Sequence, residues 1–314
     1  MKKILITGAT GFAGGHLIDH LLSLGDYEIY GTSRSEHASV KEQVHFLKVD
    51  LENKDEVKKL LSDIQPEEIY HLAAQANVPQ SIKDPQGTFH TNIDSQLNIF
   101  DSLRELQLTS TKLLLISSGE VYGYVQPEDL PISENTQHRP ANPYAVSKIA
   151  QDYLGFQYHL SYKMPIIRVR PFNHAGPGQA PAFVMADFAK QVADIEKGRQ
   201  EPLMRVGNML AKRDFTDVRD MVRLYPLLLE KGTPGDVYNA GSGISHSAQE
   251  ILDLLFSYSS VKIQVESDPA KMRPSDIPEI VADSTKVTRV TGWKPEISFE
   301  QTVKDTLDYW RAKI

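Results

Sequence analysis

The apolar run Ile4-Leu5-Ile6 passes directly into Thr7-Gly8-Ala9-Thr10-Gly11-Phe12-Ala13-Gly14 and then into a helical stretch from His16 to Leu24 that ends at Gly25. Strand, glycine loop and helix in this order constrain the chain more than any other feature. Gly8 permits a tight turn, Gly11 lets the backbone approach a pyrophosphate, and Gly14 lets the helix sit close to the strand. The N–H groups at the helix start then face an anion. The loop therefore predicts a βαβ unit that binds a dinucleotide.

The rest of the first half continues that pattern. Short apolar runs at Glu28 to Thr32, His45 to Val49, Ile69 to Ala73, Lys112 to Ser117 and Ile166 to Arg170 alternate with helical segments, which predicts an α/β fold with a parallel sheet covered on both faces. Asn92 to Leu106 and Tyr144 to Tyr162 are the long helices expected among them. A chain of 314 residues has room for one such domain and a smaller lobe. We expect residues 1–171 to form the dinucleotide-binding domain and 172–314 to form mainly the second lobe, because Pro and Gly thicken from Pro171 to Pro181. The two are expected to interleave, since Asp236-Val237-Tyr238-Asn239 reads as another buried strand that rejoins the first sheet near residues 236–240.

Composition narrows the partners. Net charge is −7 with no run of Lys or Arg, which argues against nucleic acid or an anionic membrane. The chain has no Cys, so disulfides, thiolate metal sites and a cysteine nucleophile are excluded, and a cytoplasmic location is the default expectation. No apolar stretch reaches the length of roughly 20 residues that spans a bilayer, and Gly8 and Gly11 interrupt the N-terminal run too early for a signal peptide. His16 and His20 have helical metal-ligand spacing but lack a third ligand cluster, so no metal is expected. There is no Gly-x-Ser-x-Gly elbow of a serine hydrolase in strand-turn-helix context.

At the end of the second strand an NAD site presents an acid to the ribose 2′-hydroxyl, but this chain has Gly31-Thr32-Ser33-Arg34. Arginine suits a 2′-phosphate, so NADP(H) is the expected cofactor and NAD(H) the alternative, with Arg34 then facing solvent. Asp50, after the third strand, is a candidate for the adenine end. Tyr144 and Lys148 are spaced to share one helical face. The pairs Tyr258 with Lys262 and Tyr309 with Lys313 have the same spacing, but only Tyr144 follows a strand ending in Ser117-Ser118 within the half that carries the glycine loop. An ordinary tyrosine titrates near about 10, too high for proton exchange at neutral pH, and a neighbouring ammonium favours the phenolate. We therefore expect Lys148 to lower the Tyr144 pKa and hold the nicotinamide ribose, Ser118 to polarise a carbonyl or hydroxyl, and Tyr144 to exchange the proton that matches a hydride transfer.

The Thr-Gly-x-x-Gly-Phe-x-Gly loop, His71-Leu72-Ala73-Ala74 and Tyr144-x-x-x-Lys148 together resemble the extended short-chain dehydrogenase/reductases over essentially the whole chain. The resemblance implies a Rossmann-type, doubly wound, mostly parallel sheet that binds NAD(P), with a smaller C-terminal lobe for a sugar nucleotide. It places cofactor contacts on Gly8, Gly11, Phe12, Ala13, Gly14, Ser33, Arg34, Asp50, Leu51, Leu72, Ala73, Ala74, Tyr144 and Lys148. Pro171 to Gln179, Arg213 to Asp220, Arg273 to Asp276 and the ending from Thr291 to Arg311 look most like the GDP-4-keto-6-deoxy-D-mannose reductases. That implies reduction of a C4 ketone to give GDP-D-rhamnose, with Tyr144 donating the proton and Ser118 steadying the oxyanion.

Similar GDP-mannose 4,6-dehydratases carry Thr, then Asp or Ser, then Glu where this chain has Ser118-Gly119-Glu120. Glu120 keeps dehydration open, whereas Gly119 cannot donate a proton. Epimerisation of another nucleotide sugar is a further alternative, and a dinucleotide-sensing regulator is the non-enzymatic one. By the same resemblance Arg213 and Arg273 neutralise the diphosphate, Asn173 lies at sugar or phosphate, and Val184 and Asp187 lie at the base. Asp276 and Ser118 complete the expected substrate set, and the two long helices imply a homodimer.

Overall fold

A computed structural model describes residues 1–35, 43–269 and 277–314. In chain order the first half holds β1 (Lys2–Thr7), α1 (Phe12–Leu24), β2 (Tyr27–Ser33), β3 (Val44–Lys48), α2 (Lys54–Ile64), β4 (Glu68–His71), α3 (Val78–Lys83), α4 (Pro85–Phe89), α5 (Ser95–Glu105), β5 (Lys112–Ile116), α6 (Pro143–Tyr162) and β6 (Ile166–Pro171). The second half holds β7 (Asn173–Ala175), α7 (Val184–Glu196), β8 (Leu203–Val206), β9 (Lys212–Asp217), α8 (Val218–Lys231), β10 (Val237–Ala240), β11 (Ser245–Ser247), α9 (Ala248–Ser257), β12 (Gln264–Ser267), β13 (Glu279–Ile280), α10 (Thr285–Thr291) and α11 (Phe299–Lys313).

Seven strands form one parallel sheet in the order β10-β6-β5-β4-β1-β2-β3, the Rossmann-type α/β arrangement expected from the sequence. Ile4, Leu5 and Ile6 of β1 are fully buried, as a strand covered by helices on both faces must be. One face packs α1 and α8 around Leu17, Leu21, Met221 and Leu228; the other packs α2, α5 and α6 around Leu60, Phe100, Leu103 and Tyr158. Each such side chain contributes about 1.5–3 kcal/mol on burial, so the two layers rather than helix propensity hold the sheet. Val237 to Ala240 pairs with Arg168 to Pro171, so the chain returns to the edge of this sheet after leaving it.

Local signals set the helix that matters most. Asn142 accepts a hydrogen bond from the Ala145 N–H at 2.8 Å, Pro143 occupies the first turn, and Lys163 closes α6 in a left-handed conformation. The expected helix from Asn92 differs at its start: His90–Asp94 is a π-turn, and α5 follows at Ser95. The wider turn leaves the Asn92 carbonyl to accept from the Gln151 amide of α6 at 2.6 Å, while its side chain bonds the Gln75 N–H and Ser147.

The second lobe has its own core, where α7, α9 and α11 enclose Phe188, Val192, Leu252, Leu255, Val303 and Leu307. β11, β9 and β13 form a small sheet there, with β7 also paired to β9, and β8 pairs β12. No helix among the described residues is long and apolar enough to cross a membrane.

Candidate active site

The glycine loop lies across the C-terminal ends of the central strands. Gly8 has φ +68°, and a Cβ there would sit 2.9 Å from the Ala73 nitrogen. Gly14 is more restricted, since its Cβ would meet the Gly8 carbonyl oxygen at 2.3 Å. Gly8 therefore needs glycine for contact as well as conformation, and Gly14 for contact. Thr7 holds the turn from below: its hydroxyl accepts from the Ala73 N–H at 3.1 Å and lies 2.8 Å from His71 Nδ1. Gly11 caps α1 without any side-chain bond and no acid occupies the first turn, so the N–H groups about Phe12 and Ala13 are placed to receive an anion. The dinucleotide fits this cradle, which opens on a cavity lined by Gly11, Phe12, His16, Pro177 and Tyr309.

Other expected cofactor residues surround it at different depths. Ser33 is buried at the end of β2 and Arg34 is exposed just beyond it. Asp50 is exposed after β3, its carboxylate accepting from the Glu52 N–H at 3.0 Å, whereas Leu51 is buried in the α2 side of the core. Leu72, Ala73 and Ala74 continue from β4 in half-buried positions beside the loop.

Ser118, Tyr144 and Lys148 meet at the C-terminal end of β5, in the interior of the sheet. Ser118 follows β5 and starts the 3-10 turn Gly119–Tyr122, its hydroxyl accepting from the Glu120 N–H at 3.1 Å. Tyr144, in the first turn of α6, is almost fully buried and its phenol hydrogen bonds Ser118. Its backbone N–H donates to the Ser81 hydroxyl of α3 at 3.2 Å. One turn on, the Lys148 ammonium donates to the Ile116 carbonyl at 2.9 Å. Glu120 is half-buried, accepts from the Asn142 amide at 3.3 Å, and acts electrostatically on Tyr144.

The charge state differs from the sequence expectation. Burial pushes the Tyr144 phenol up to about 12, with the Ser118 hydrogen bond working against the rise and the Glu120 carboxylate adding to it. Burial brings Lys148 down to about 7, opposed by the Asp152 carboxylate. The predicted lowering of the phenol by the ammonium is thus reversed. Desolvation penalises both charged forms, and the Lys148 ammonium bonds the Ile116 backbone carbonyl. At neutral pH Tyr144 is a protonated acid.

Gly119 has a structural reason. A Cβ there would lie 3.0 Å from the Phe172 ring, which is buried at the junction of sheet and lobe. Asp152 escaped the sequence reading, although it lies one helical turn beyond Lys148, whereas His71 and Phe172 entered it only as members of motifs. His71 is buried, held near about 3 by desolvation and then by the nearby Lys148 charge. Its Nε2 has no hydrogen-bond partner among the described residues.

The substrate candidates occupy the lobe. Asn173 is exposed on β7, Val184 opens α7 with its side chain partly exposed, and Asp187 lies in the first turn of that helix. Arg213 on β9 donates to the Lys212 and Ile277 carbonyls at 2.8 and 2.7 Å. Arg273 and Asp276 lie outside the described residues. Among the described residues, no group of three His, Asp or Glu side chains is placed to hold a metal ion.

Known proteins resemble this chain over its whole length. The sequence model of the family described as GDP-mannose 4,6 dehydratase matches residues 5–306. The GDP-6-deoxy-D-mannose reductase of Pseudomonas aeruginosa is 34% identical over 313 residues, covering 100% of this chain and 98% of that protein. A solved structure of RMD from Pseudomonas aeruginosa complexed with NADPH superposes with a TM-score of 0.87 at 33% identity, covering all of both chains. The UDP-glucose 4-epimerase of Thermus thermophilus, solved with NAD, has a TM-score of 0.89 at 30% identity and covers 99% of this chain and 100% of its own.

Proposed function

This chain belongs to the GDP-mannose 4,6 dehydratase family, and from that membership we propose that it is a reductase of GDP-4-keto-6-deoxy-D-mannose, forming GDP-D-rhamnose with NADPH. Gly119 carries the choice of reductase over dehydratase. A side chain at this position, between Ser118 and Glu120, would bring its Cβ to 3.0 Å from the buried Phe172 ring, so the acid or hydroxyl that similar dehydratases carry there requires that ring to shift. The protonated phenol favours the same direction. Reduction of a ketone needs an acid at the carbonyl oxygen, whereas dehydration begins by oxidising an alcohol and needs the phenolate.

In this reading Gly8, Gly11, Phe12, Ala13 and Gly14 hold the pyrophosphate, and Arg34 takes the 2′-phosphate. Ser33, Asp50, Leu51, Leu72, Ala73 and Ala74 border the adenosine half, while Tyr144 and Lys148 hold the nicotinamide ribose. The bound reduced nicotinamide supplies the hydride that C4 of the sugar accepts. Tyr144 gives its hydroxyl proton to the ketone oxygen as the C4–H bond forms, so a carbonyl becomes an alcohol and a phenolate is left on the enzyme. Ser118 donates a hydrogen bond to that oxygen while it carries charge, and the Lys148 ammonium favours the phenolate that results. Arg213 and Arg273 pair the diphosphate, Asn173 and Asp276 border it, and Val184 and Asp187 lie at the guanine.

The functional division follows the fold. Residues 1–171, with the returning strand near 236–240, bind the cofactor, and most of 172–314 bind the sugar nucleotide. Val146, Tyr153 and Leu160 are 40, 53 and 52% exposed at seven-residue spacing along α6, a stripe that supports a homodimer built on this helix. A solution mass of one chain would remove that assembly. The reading also places the protein in the cytoplasm, where its nucleotide cofactor and substrate are expected.

Purified protein mixed with NADPH and GDP-4-keto-6-deoxymannose is expected to oxidise NADPH with formation of a GDP-6-deoxyhexose. A keto product from GDP-mannose alone would assign the dehydratase, and inertness with tight NADPH binding would assign the sensor. Arg34→Ala is expected to weaken NADPH binding about tenfold, the value of a charge-assisted contact, and to leave NADH binding unchanged. Equal NADPH affinity in both proteins would end the role given to Arg34.

A further inference from the structure

Behind the catalytic face, α6 is tied to the sheet by one carboxylate. Asp152 has no solvent exposure and lies one turn beyond Lys148. Its Oδ1 accepts from Arg168 Nη1 at 2.7 Å and Arg170 Nη2 at 3.2 Å, and its Oδ2 accepts from Arg170 Nε at 2.8 Å. The two arginines alternate along β6 and therefore project from one face of the sheet. Gly155, whose Cβ would lie 2.8 Å from the Leu115 side chain, lets α6 come close enough for these bonds.

The arginines carry the connection further. Arg168 Nη2 donates to the Gly235 carbonyl at 2.8 Å, just before β10. Arg170 Nη1 donates to the Tyr122 hydroxyl at 2.8 Å, which itself donates to Asn239 Oδ1 at 2.7 Å. The Asn239 N–H donates to Glu134 at 2.9 Å. One network thus joins the helix bearing Tyr144 and Lys148, the turn beginning at Ser118, and the edge strand by which the chain returns from the lobe.

Resting on the assignment of Tyr144 and Lys148 above, we propose that Asp152 is the positioning residue of this site: its paired arginines set the height and rotation of α6, and its carboxylate is the counter-charge of the Lys148 ammonium. Burial of such a group is expensive unless it is paired and hydrogen-bonded, and three guanidinium bonds take three of its four lone pairs. The titratable and charged groups around Lys148 are His71 from β4, Tyr144 and Asp152 on α6 itself, and Arg168 and Arg170 of β6 behind Asp152. Glu120 faces Tyr144 from the turn after β5. Of these, Asp152 is the group that favours the protonated amine.

The sign follows directly. Removing the carboxylate makes Lys148 lose its proton at lower pH, and removing one arginine makes it hold the proton to higher pH. Lysine side chains labelled with carbon-13 at Cε report this by NMR in the protein without cofactor, and Lys148→Met identifies the resonance. Asp152→Asn is expected to lower the Lys148 midpoint by about one pH unit, the size of a lost neighbouring opposite charge. Arg168→Gln, which leaves the Arg170 pair in place, is expected to raise it. Asp152→Glu keeps the charge on a longer arm, so it should leave the midpoint in place and lower kcat more than it changes KM. A midpoint unmoved in folded Asp152→Asn, or moved upward, would overturn the proposal. Should that variant not fold, an unmoved midpoint in Arg168→Gln overturns it alone. Because the NMR readout needs neither cofactor nor sugar, it fails or succeeds separately from the reductase reading.

Discussion

Tyr144→Phe is expected to reduce ketone turnover by about a hundred- to ten-thousand-fold, the usual contribution of a positioned acid, while NADPH still binds. The ring is nearly buried in the first turn of α6, and phenylalanine fills the same volume. What disappears is a hydroxyl bonded to Ser118. Because burial holds that hydroxyl protonated up to about 12, the parent enzyme carries its proton throughout the neutral range and the loss is expected at every pH where it works. Single-turnover oxidation of bound NADPH on adding the keto sugar measures it, with a thermal melt to verify the fold. A variant as fast as the parent would remove Tyr144 from the mechanism.

Asp214→Ala should have the largest effect on stability. Asp214 is fully buried on β9 and accepts from the backbone N–H groups of Ser242, Gly243 and Ala282 at 2.7, 2.9 and 3.1 Å, and from the Ser242 hydroxyl at 2.5 Å. Alanine would leave three backbone donors without an acceptor. At about 1–3 kcal/mol each, allowing for partial recovery by water, a loss of about 3–5 kcal/mol follows. For a domain of this size that lowers the melting temperature by on the order of 10 °C. The loop from Gly241 to Gly243 packs directly on this carboxylate, since a Cβ at Gly241 would lie 2.5 Å from Asp214 Oδ2. Its release also disturbs the strand that carries Arg213, so GDP-sugar affinity is expected to fall with stability. A melting temperature within a degree of the parent's would refute this account of the lobe.

Much of the first half was legible because its signals are local. The glycine loop announces its strand and helix, and Asn142-Pro143 announces the start of α6. Spacing alone did not separate Tyr144 from Tyr258 or Tyr309. In the structure Lys313 donates to the Tyr309 hydroxyl at 2.8 Å on an exposed helix end, so the same spacing there makes a surface pair. Position relative to the glycine loop was the signal that distinguished them. The Asp152 network was not legible, because its partners lie on β6 and in segments more than a hundred residues from Tyr122. No periodicity relates residues that meet only after the chain has crossed the sheet and returned.

What sequence alone determined is the set of reactive groups and their local order: a loop that presents N–H groups to an anion, and a phenol and an amine one helical turn apart. Those features depend on backbone hydrogen bonds and steric limits that act over a few residues. Tertiary structure decided the protonation of Tyr144 and Lys148, the room beside Gly119, and the anchoring of α6. Each of these depends on which distant groups exclude water from the site, and desolvation at a given atom is a property of everything packed around it.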